Sequence, residues 1–261
     1  MASSPPGRSA SVPGVNHRTT TNRLVRGVAA ALRRFNLRHA WSHNDHYHGW
    51  LLRRLPVGRT AALDVGCGHG RLVDRLRARA GFVRVVGIDP EPAMASSSQA
   101  RFASDAGVVI AQRSFFDLKP GDELVPDGGF DTIAMCASLH HLAHERDLDA
   151  AFVHGRELIA PGGRLLVVGL ARLGSPRDLA VDAVSAVLNP IVGLLKHPRR
   201  ATNEEIETVF FGLGPHGGER MPVRDPEETF DDVARAAARV LPGARARRRL
   251  FFRYSLEWTA S

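Results

Sequence analysis

Three glycines at alternating positions, Gly66, Gly68 and Gly70, separate a short apolar run (Ala61, Leu63, Val65) from Leu72, Val73 and Leu76, which recur at helical spacing. A turn of this kind bends sharply and lets a ligand approach backbone with no Cβ in the way. A second apolar run (Val83, Val85, Val86, Ile88) ends in Asp89, whose carboxylate at a strand tip is placed to accept hydrogen bonds from a ribose. A third run, Phe130 to Cys136, leads into His140 and His141, two side chains suited to taking a proton near neutral pH. The densest polar-aromatic cluster is W-S-H-N-D-H-Y-H at 41–48, with His43, Asp45, His46 and His48. Its order, H-x-D-H-x-H, matches no metal-ligand spacing, and a metal is not expected.

These groups need a sheet to hold them. Strand, glycine turn and helix (about His69 to Ala80) form the first unit of a nucleotide-binding α/β sheet. The second strand ends at Asp89, and Pro90 then starts a helix reaching about Asp105. Val108 to Ala111 and Phe130 to Cys136 read as strands three and four. A helix from about Glu145 to Ile159 is closed by P-G-G (161–163), and Arg164 to Leu170 is strand five. Beyond it a helix from about Arg177 to Lys196 is expected to kink or end at Pro190. Thr202 or Asn203 caps a short helix at 204–211, ahead of a glycine-rich loop at 212–218. Asp225 to Val240 is a helix opened by acids and closed by P-G. Ala244 to Leu250 and Arg253 to Thr259 are two strands joined by a tight turn. Ligands of open α/β sheets bind outside the carboxyl ends of the strands. That places His140 and His141 beside whatever the glycine turn holds.

A dinucleotide fingerprint, G-x-G-x-x-G, wants glycine at position 71, where Arg71 stands. Four stretches taken in order, L-D-V-G-C-G-H-G, V-V-G-I-D-P (85–90), F-D-T-I-A-M-C-A-S-L-H-H-L (130–142) and P-G-G-R-L-L-V-V (161–168), resemble the class I S-adenosylmethionine-dependent methyltransferases. The resemblance spans about 110 residues and is specific for the superfamily, not for a substrate. It implies an α/β, doubly wound, mostly parallel seven-stranded Rossmann-like sheet, with a C-terminal antiparallel hairpin and a helical cap insertion. The implied cofactor is S-adenosyl-L-methionine, and the positions implied to contact it are Asp64, Gly66, Cys67, Gly68, Gly70, Asp89, Pro90 and Cys136. At the end of strand three the family places an acid on the adenine amino group, and this chain departs from that pattern with Ser114. Either Asp117 supplies the contact, or Ser114 and backbone do while Phe115 or Phe116 packs on the adenine. The segment before strand one folds over the cofactor in such enzymes. Tyr47, with His43 or His46, is then a candidate for touching the methionine end or the acceptor. The other reading makes this segment a helix surface with Trp50, Leu51 and Leu52 in the core. His140 and His141 are the leading candidates for a general base, with His43 and His46 behind them.

A chain of 261 residues accommodates one sizeable α/β domain with decoration. It divides into a basic disordered tail (1–21), an N-terminal helical segment over the cofactor (22–55) and a cofactor-binding core (56–170). A helical cap over the acceptor (171–224) and a C-terminal helix with hairpin (225–261) complete it. The net charge of +8 is located rather than general: residues 1–44 carry seven arginines and no acid, so the remainder is close to neutral. That distribution disfavours nucleic acid as partner. Leu24, Val28, Leu32 and Phe35 give residues 22–41 an amphipathic helical stripe. No run of eighteen apolar residues suggests a membrane span. Cys67 and Cys136 form no disulfide framework, as expected of buried thiols in a cytoplasmic protein. The expected activity is methyl transfer to O, N or C of a small-molecule acceptor. A methyltransferase acting on RNA or protein is the alternative, and a nicotinamide-dependent oxidoreductase is disfavoured by Arg71 and the terminal hairpin.

Overall fold

The computed structural model describes Ala31 and residues 34–210 and 224–261. The basic tail and the 212–218 loop lie outside these residues, as does most of the amphipathic stripe, of which residues 34–38 are helical.

The apolar runs form β1 (Ala61–Val65), β2 (Arg84–Ile88), β3 (Val108–Ala111), β4 (Phe130–Cys136) and β5 (Ile159–Gly169), all parallel. The C-terminal pair, β6 (Arg245–Arg249) and β7 (Arg253–Thr259), completes a seven-stranded sheet in the order β3-β2-β1-β4-β5-β7-β6. β7 inserts antiparallel between β5 and β6, with Leu165 opposite Trp258 and Val167 opposite Leu256. β1 is buried along its whole length, as a central strand covered on both faces must be. The arginines of β6 lie on the sheet's edge at least partly in solvent, which blunts pairing with another chain.

The helices depart from the sequence expectation in instructive ways. After Gly70, α2 (Arg71–Asp74) runs only one turn before a wider turn at Arg75–Arg79, where Ala80 N bonds Arg75 O. The next helix, α3 (Pro92–Phe102), starts at Pro92 rather than Pro90, because Glu91 is still extended. The helix expected from about Glu145 to Ile159 is α5 (Leu148–Leu158), and a further, unexpected helix, α4 (Leu139–Glu145), precedes it. Asp147 breaks the chain and caps α5 through Ala150 N. β5 begins five residues before the expected Arg164. In the cap, α6 (Pro176–Lys196) continues through Pro190, which does not end it, and α7 is Asn203–Phe210. α8 (Phe230–Val240) is opened by a capping box of Thr229 and Asp232 rather than by the upstream acids. It buries Phe230, Val233, Ala236, Ala237 and Val240 against one face of the sheet. Each large side chain so buried contributes about 1.5–3 kcal/mol.

α6 is long and apolar enough to cross a membrane by length and composition, with mean hydropathy 1.6 over eighteen residues. From Leu179 to Leu195 every exposed side chain on it is apolar. Its other face packs under the N-terminal segment at Asn189 and Gly193.

Candidate active site

β1 runs into Gly66, Gly68 and Gly70, all left-handed (φ 71°, 53° and 73°). A Cβ on Gly66 would lie 2.7 Å from Ser138 Cβ, so only glycine fits both the backbone and the space. The turn is stitched to the tip of β2. Gly66 N and Cys67 N donate to Ile88 O at 2.9 and 3.0 Å, and Gly68 N donates to Asp89 Oδ2 at 2.9 Å. Asp89 Oδ1 accepts from Glu91 N at 3.0 Å. Ser98 Oγ donates to Gly68 O at 2.5 Å and ties the turn to α3. Burial pushes the Asp89 carboxyl up, while the two backbone N–H bonds and the nearby His141 and His69 pull it down. Asp64, wholly buried beneath the turn, is pushed up to about 7 by burial and then by Asp89. The Cys67 and Cys136 thiols are raised by burial, Cys136 to about 12, so neither is a nucleophile at neutral pH.

At the end of β4 the chain turns through Ala137, a non-glycine residue at φ 62°, held by Ala137 N to Val168 O at 2.7 Å. Ser138 Oγ, buried beside Gly66, has no partner. His140 and His141 occupy the first turn of α4, with ring centroids 4.2 Å apart. His140 is buried, and burial, then its neighbour His141, lowers it to about 4. A hydrogen bond to the Arg224 backbone works the other way, and Nδ1 has no partner. His141 is more open and is lowered by burial and by Arg224, with Asp89 opposing. The two rings thus divide: His141 shares its field with Asp89, and His140 with Arg253.

The roof is α1 (His43–Leu52), capped by Ser42 through Asp45 N. Asp45 bridges Arg71 (2.8 Å) just after the glycine turn, and its carbonyl takes Arg75 Nη1. On the other side Trp41 Nε1 donates to Asn189 O at 3.3 Å, and His43 Nε2 meets Asn189 Oδ1 at 2.8 Å. His39 Nδ1 meets His197 O at 2.8 Å, and Lys196 Nζ approaches His46 Nδ1 at 3.2 Å. Gly193 is where the two segments meet: a Cβ there would lie 2.7 Å from His39 O. Toward the hairpin, the Tyr47 hydroxyl donates to Leu250 O at 2.8 Å, and Asn44 Oδ1 accepts from Arg253. Burial lowers His43 to about 4 and also lowers His46.

The expected residues therefore fall into groups. Asp64, Gly66, Cys67, Gly68, Gly70 and Asp89 converge at the turn, with His141 facing them. Cys136, His140, Tyr47 and His43 lie toward β7. Pro90 is exposed after the β2 tip. On the β3 side Ser114 and Asp117 cap a short turn, where Ser114 N donates to Asp117 Oδ2 at 3.2 Å and Ser114 Oγ donates to Glu145. Phe115 and Phe116 are buried, and Phe115 stands edge-on to His154 at 4.8 Å. Sequence reasoning missed Ser98, Ser138, Asn44, Asn189 and Arg253. Ser138 sits in a stretch already singled out, between Cys136 and His140. Asn44 likewise lies in the cluster at 41–48, and the other three carry no spacing signal and are brought in by the fold. Among the described residues no group of three His, Cys, Asp or Glu side chains is arranged to hold a metal.

A methyltransferase-domain family model matches residues 63–165, from β1 into β5. An uncharacterized methyltransferase of Mycobacterium tuberculosis is 29% identical over 227 residues, covering 84% of this chain and 97% of that one. Trans-aconitate 2-methyltransferase of Methylobacterium radiotolerans is 33% identical over 138 residues, 52% of this chain and 48% of that enzyme. In fold, a Pyrococcus horikoshii protein superposes with a TM-score of 0.53 at 16% identity, covering 83% of this chain and 89% of its own. The 3-2-1-4-5-7-6 sheet, the stitched glycine turn and the domain match over residues 63–165 support the class I S-adenosylmethionine-dependent methyltransferase superfamily and a methyltransferase activity.

Proposed function

We propose that the chain transfers the methyl group of S-adenosylmethionine to O, N or C of a small-molecule acceptor held under the α1–α6 roof. The observation that carries this reading is the roof itself, α1 latched to α6 at Asn189 and to the glycine turn at Asp45. A covered site suits a small molecule better than a folded polymer.

The residues present fit the cofactor. Asp89 has unused acceptor positions for a ribose, Gly66 leaves a cradle that a Cβ would fill, and the buried Asp64 carboxyl suits a cationic ligand. The cofactor supplies a sulfonium whose methyl carbon is already electrophilic. With the cofactor bound, the acceptor-to-carbon bond would form as the carbon–sulfur bond breaks and its electron pair passes to sulfur. The protein's part is alignment, worth on the order of 7–11 kcal/mol. Where the acceptor is a hydroxyl, a proton must leave. His140 is neutral at pH 7, and Nδ1 is its unpartnered nitrogen. That open, neutral nitrogen is available to accept the proton, although burial makes it a weaker base than a free imidazole.

The test is calorimetry with S-adenosylmethionine and S-adenosylhomocysteine, followed by mass spectrometry of a small-molecule acceptor panel and of total RNA and protein. Binding with methylation confined to small molecules supports the reading. Methylation confined to RNA or protein overturns it.

A further inference from the structure

Arg253 opens β7 at the carboxyl edge of the sheet, and its guanidinium is a half-buried charge that meets no carboxylate. Nε and Nη2 both donate to Asn44 Oδ1, at 3.2 and 2.9 Å, and Nη1 donates to Phe252 O at 3.2 Å. No Asp or Glu among the described residues lies within ion-pair distance of it. Of the other arginines lining the adjacent cavity, Arg172 bonds the Glu227 carbonyl and Arg249 bonds Ser255 Oγ, while three arginines nearby in the fold are ion-paired. Arg248 meets Asp178 and Asp231, Arg54 meets Glu257, and Arg71 meets Asp45. A guanidinium has five N–H donors. Three are occupied here, and they include the side edge formed by Nε and Nη2. The remaining two, one on each terminal nitrogen, are open to a further acceptor such as a carboxylate.

The surroundings match such a guest. Arg253 lines a cavity of about 50 Å³ between α6 and the hairpin, walled also by Phe230, Val181 and Tyr254. That volume exceeds what one water needs, about 10–15 Å³. Four arginines and two aspartates line it, so its charge is positive on balance. Arg248 ties up Asp178, and Asp182 stands beyond ion-pair distance of Arg253. The guanidinium also lies on the acceptor side of the site, where it acts on His140 and His43, whereas Asp89 acts on His141.

We propose that Arg253 binds a carboxylate of the methyl acceptor, so that the preferred acceptors are small organic acids. This rests on the methyltransferase reading above and narrows it. A carboxylate also exists on the methionine arm of the cofactor, and the experiment separates the two sources.

The protein is loaded with S-adenosylhomocysteine and titrated by calorimetry, at fixed ionic strength, with dicarboxylates from malonate to adipate and with their neutral dimethyl esters. The wild type binds at least one diacid saturably and binds the diesters at least tenfold more weakly. Arg253→Gln weakens diacid binding by at least tenfold, Arg253→Lys restores part of it, and the exposed control Arg247→Gln leaves it unchanged. All variants keep S-adenosylhomocysteine affinity within twofold and unfold near the wild-type temperature. A wild type that binds no diacid, or binds diester equally well, overturns the proposal. So does an Arg253→Gln variant that retains diacid binding. A variant that loses S-adenosylhomocysteine affinity instead assigns the carboxylate to the cofactor and overturns the acceptor version. Failure of the wild type to bind either cofactor form removes the methyltransferase reading, while diacid titration of the unloaded protein still reports on Arg253.

Discussion

Replacing Asp89 by Asn tests the cofactor side of the site at nearly constant volume. A carboxylate offers about four acceptor positions. Two are filled by Gly68 N and Glu91 N, which leaves two for the ribose hydroxyls. Asparagine brings one acceptor oxygen and an amide that must face either a backbone N–H or a ribose hydroxyl. The loss on binding is one to two charge-assisted hydrogen bonds' worth, about 1.5–3 kcal/mol. At 1.36 kcal/mol per decade this is a roughly 10- to 150-fold weaker Kd for both S-adenosylmethionine and S-adenosylhomocysteine. Stability changes less. One backbone N–H loses its partner, at about 1–3 kcal/mol, but a carboxylate whose charge burial disfavours is removed at the same time. Calorimetry with both ligands, after the melting temperature confirms the fold, is the assay. A Kd within twofold of wild type in a folded variant refutes Asp89 as the ribose acceptor.

Three further outcomes are expected. His140→Ala lowers turnover on a hydroxyl acceptor by roughly 10²–10⁴ with cofactor affinity unchanged, whereas His141→Ala does so far less; equal and full activity in both removes histidine from the mechanism. Asp64 carries a folded-state pKa near 7 against 3.8 for the unfolded chain. Between these the folded protein holds the proton that the unfolded chain releases, so stability falls as pH rises and the loss is complete above about 7. Urea midpoints from pH 4 to 8 therefore show a decline in wild type, on the order of a few kcal/mol, that Asp64→Asn reduces; parallel curves count against it. Gly66→Ala places a Cβ 2.7 Å from Ser138 Cβ in a left-handed residue. It costs about 1–2 kcal/mol in backbone alone, seen as a lower melting temperature with weaker cofactor binding, and an unchanged melting temperature argues against it.

The parallel sheet was legible because its strands are largely apolar runs, with β1 and β2 closed by Gly66 and Asp89, a pattern set by burial on both faces. The glycine turn and Asp89 were legible for the same local reason. Helix boundaries were less so. The break at Asp147 depends on a cap within a chemically uniform stretch, and Pro190 sits inside α6 although proline removes an N–H donor. The pairing of Arg253 with Asn44 was invisible because 209 residues separate them, although Asn44 stands in the polar-aromatic cluster at 41–48. Only the antiparallel insertion of β7 brings them together.

The ten residues of α1 touch the glycine turn through Asp45, α6 through His43, and the hairpin through Asn44 and Tyr47. Neither half of the cleft can be tightened without loading the same short helix. The two ligands are in this sense in thermodynamic conversation: whatever factor a filled cofactor half lends to the affinity of the other half is returned in full by linkage. Ten residues with almost no amphipathic pattern of their own thereby join both halves of the cleft.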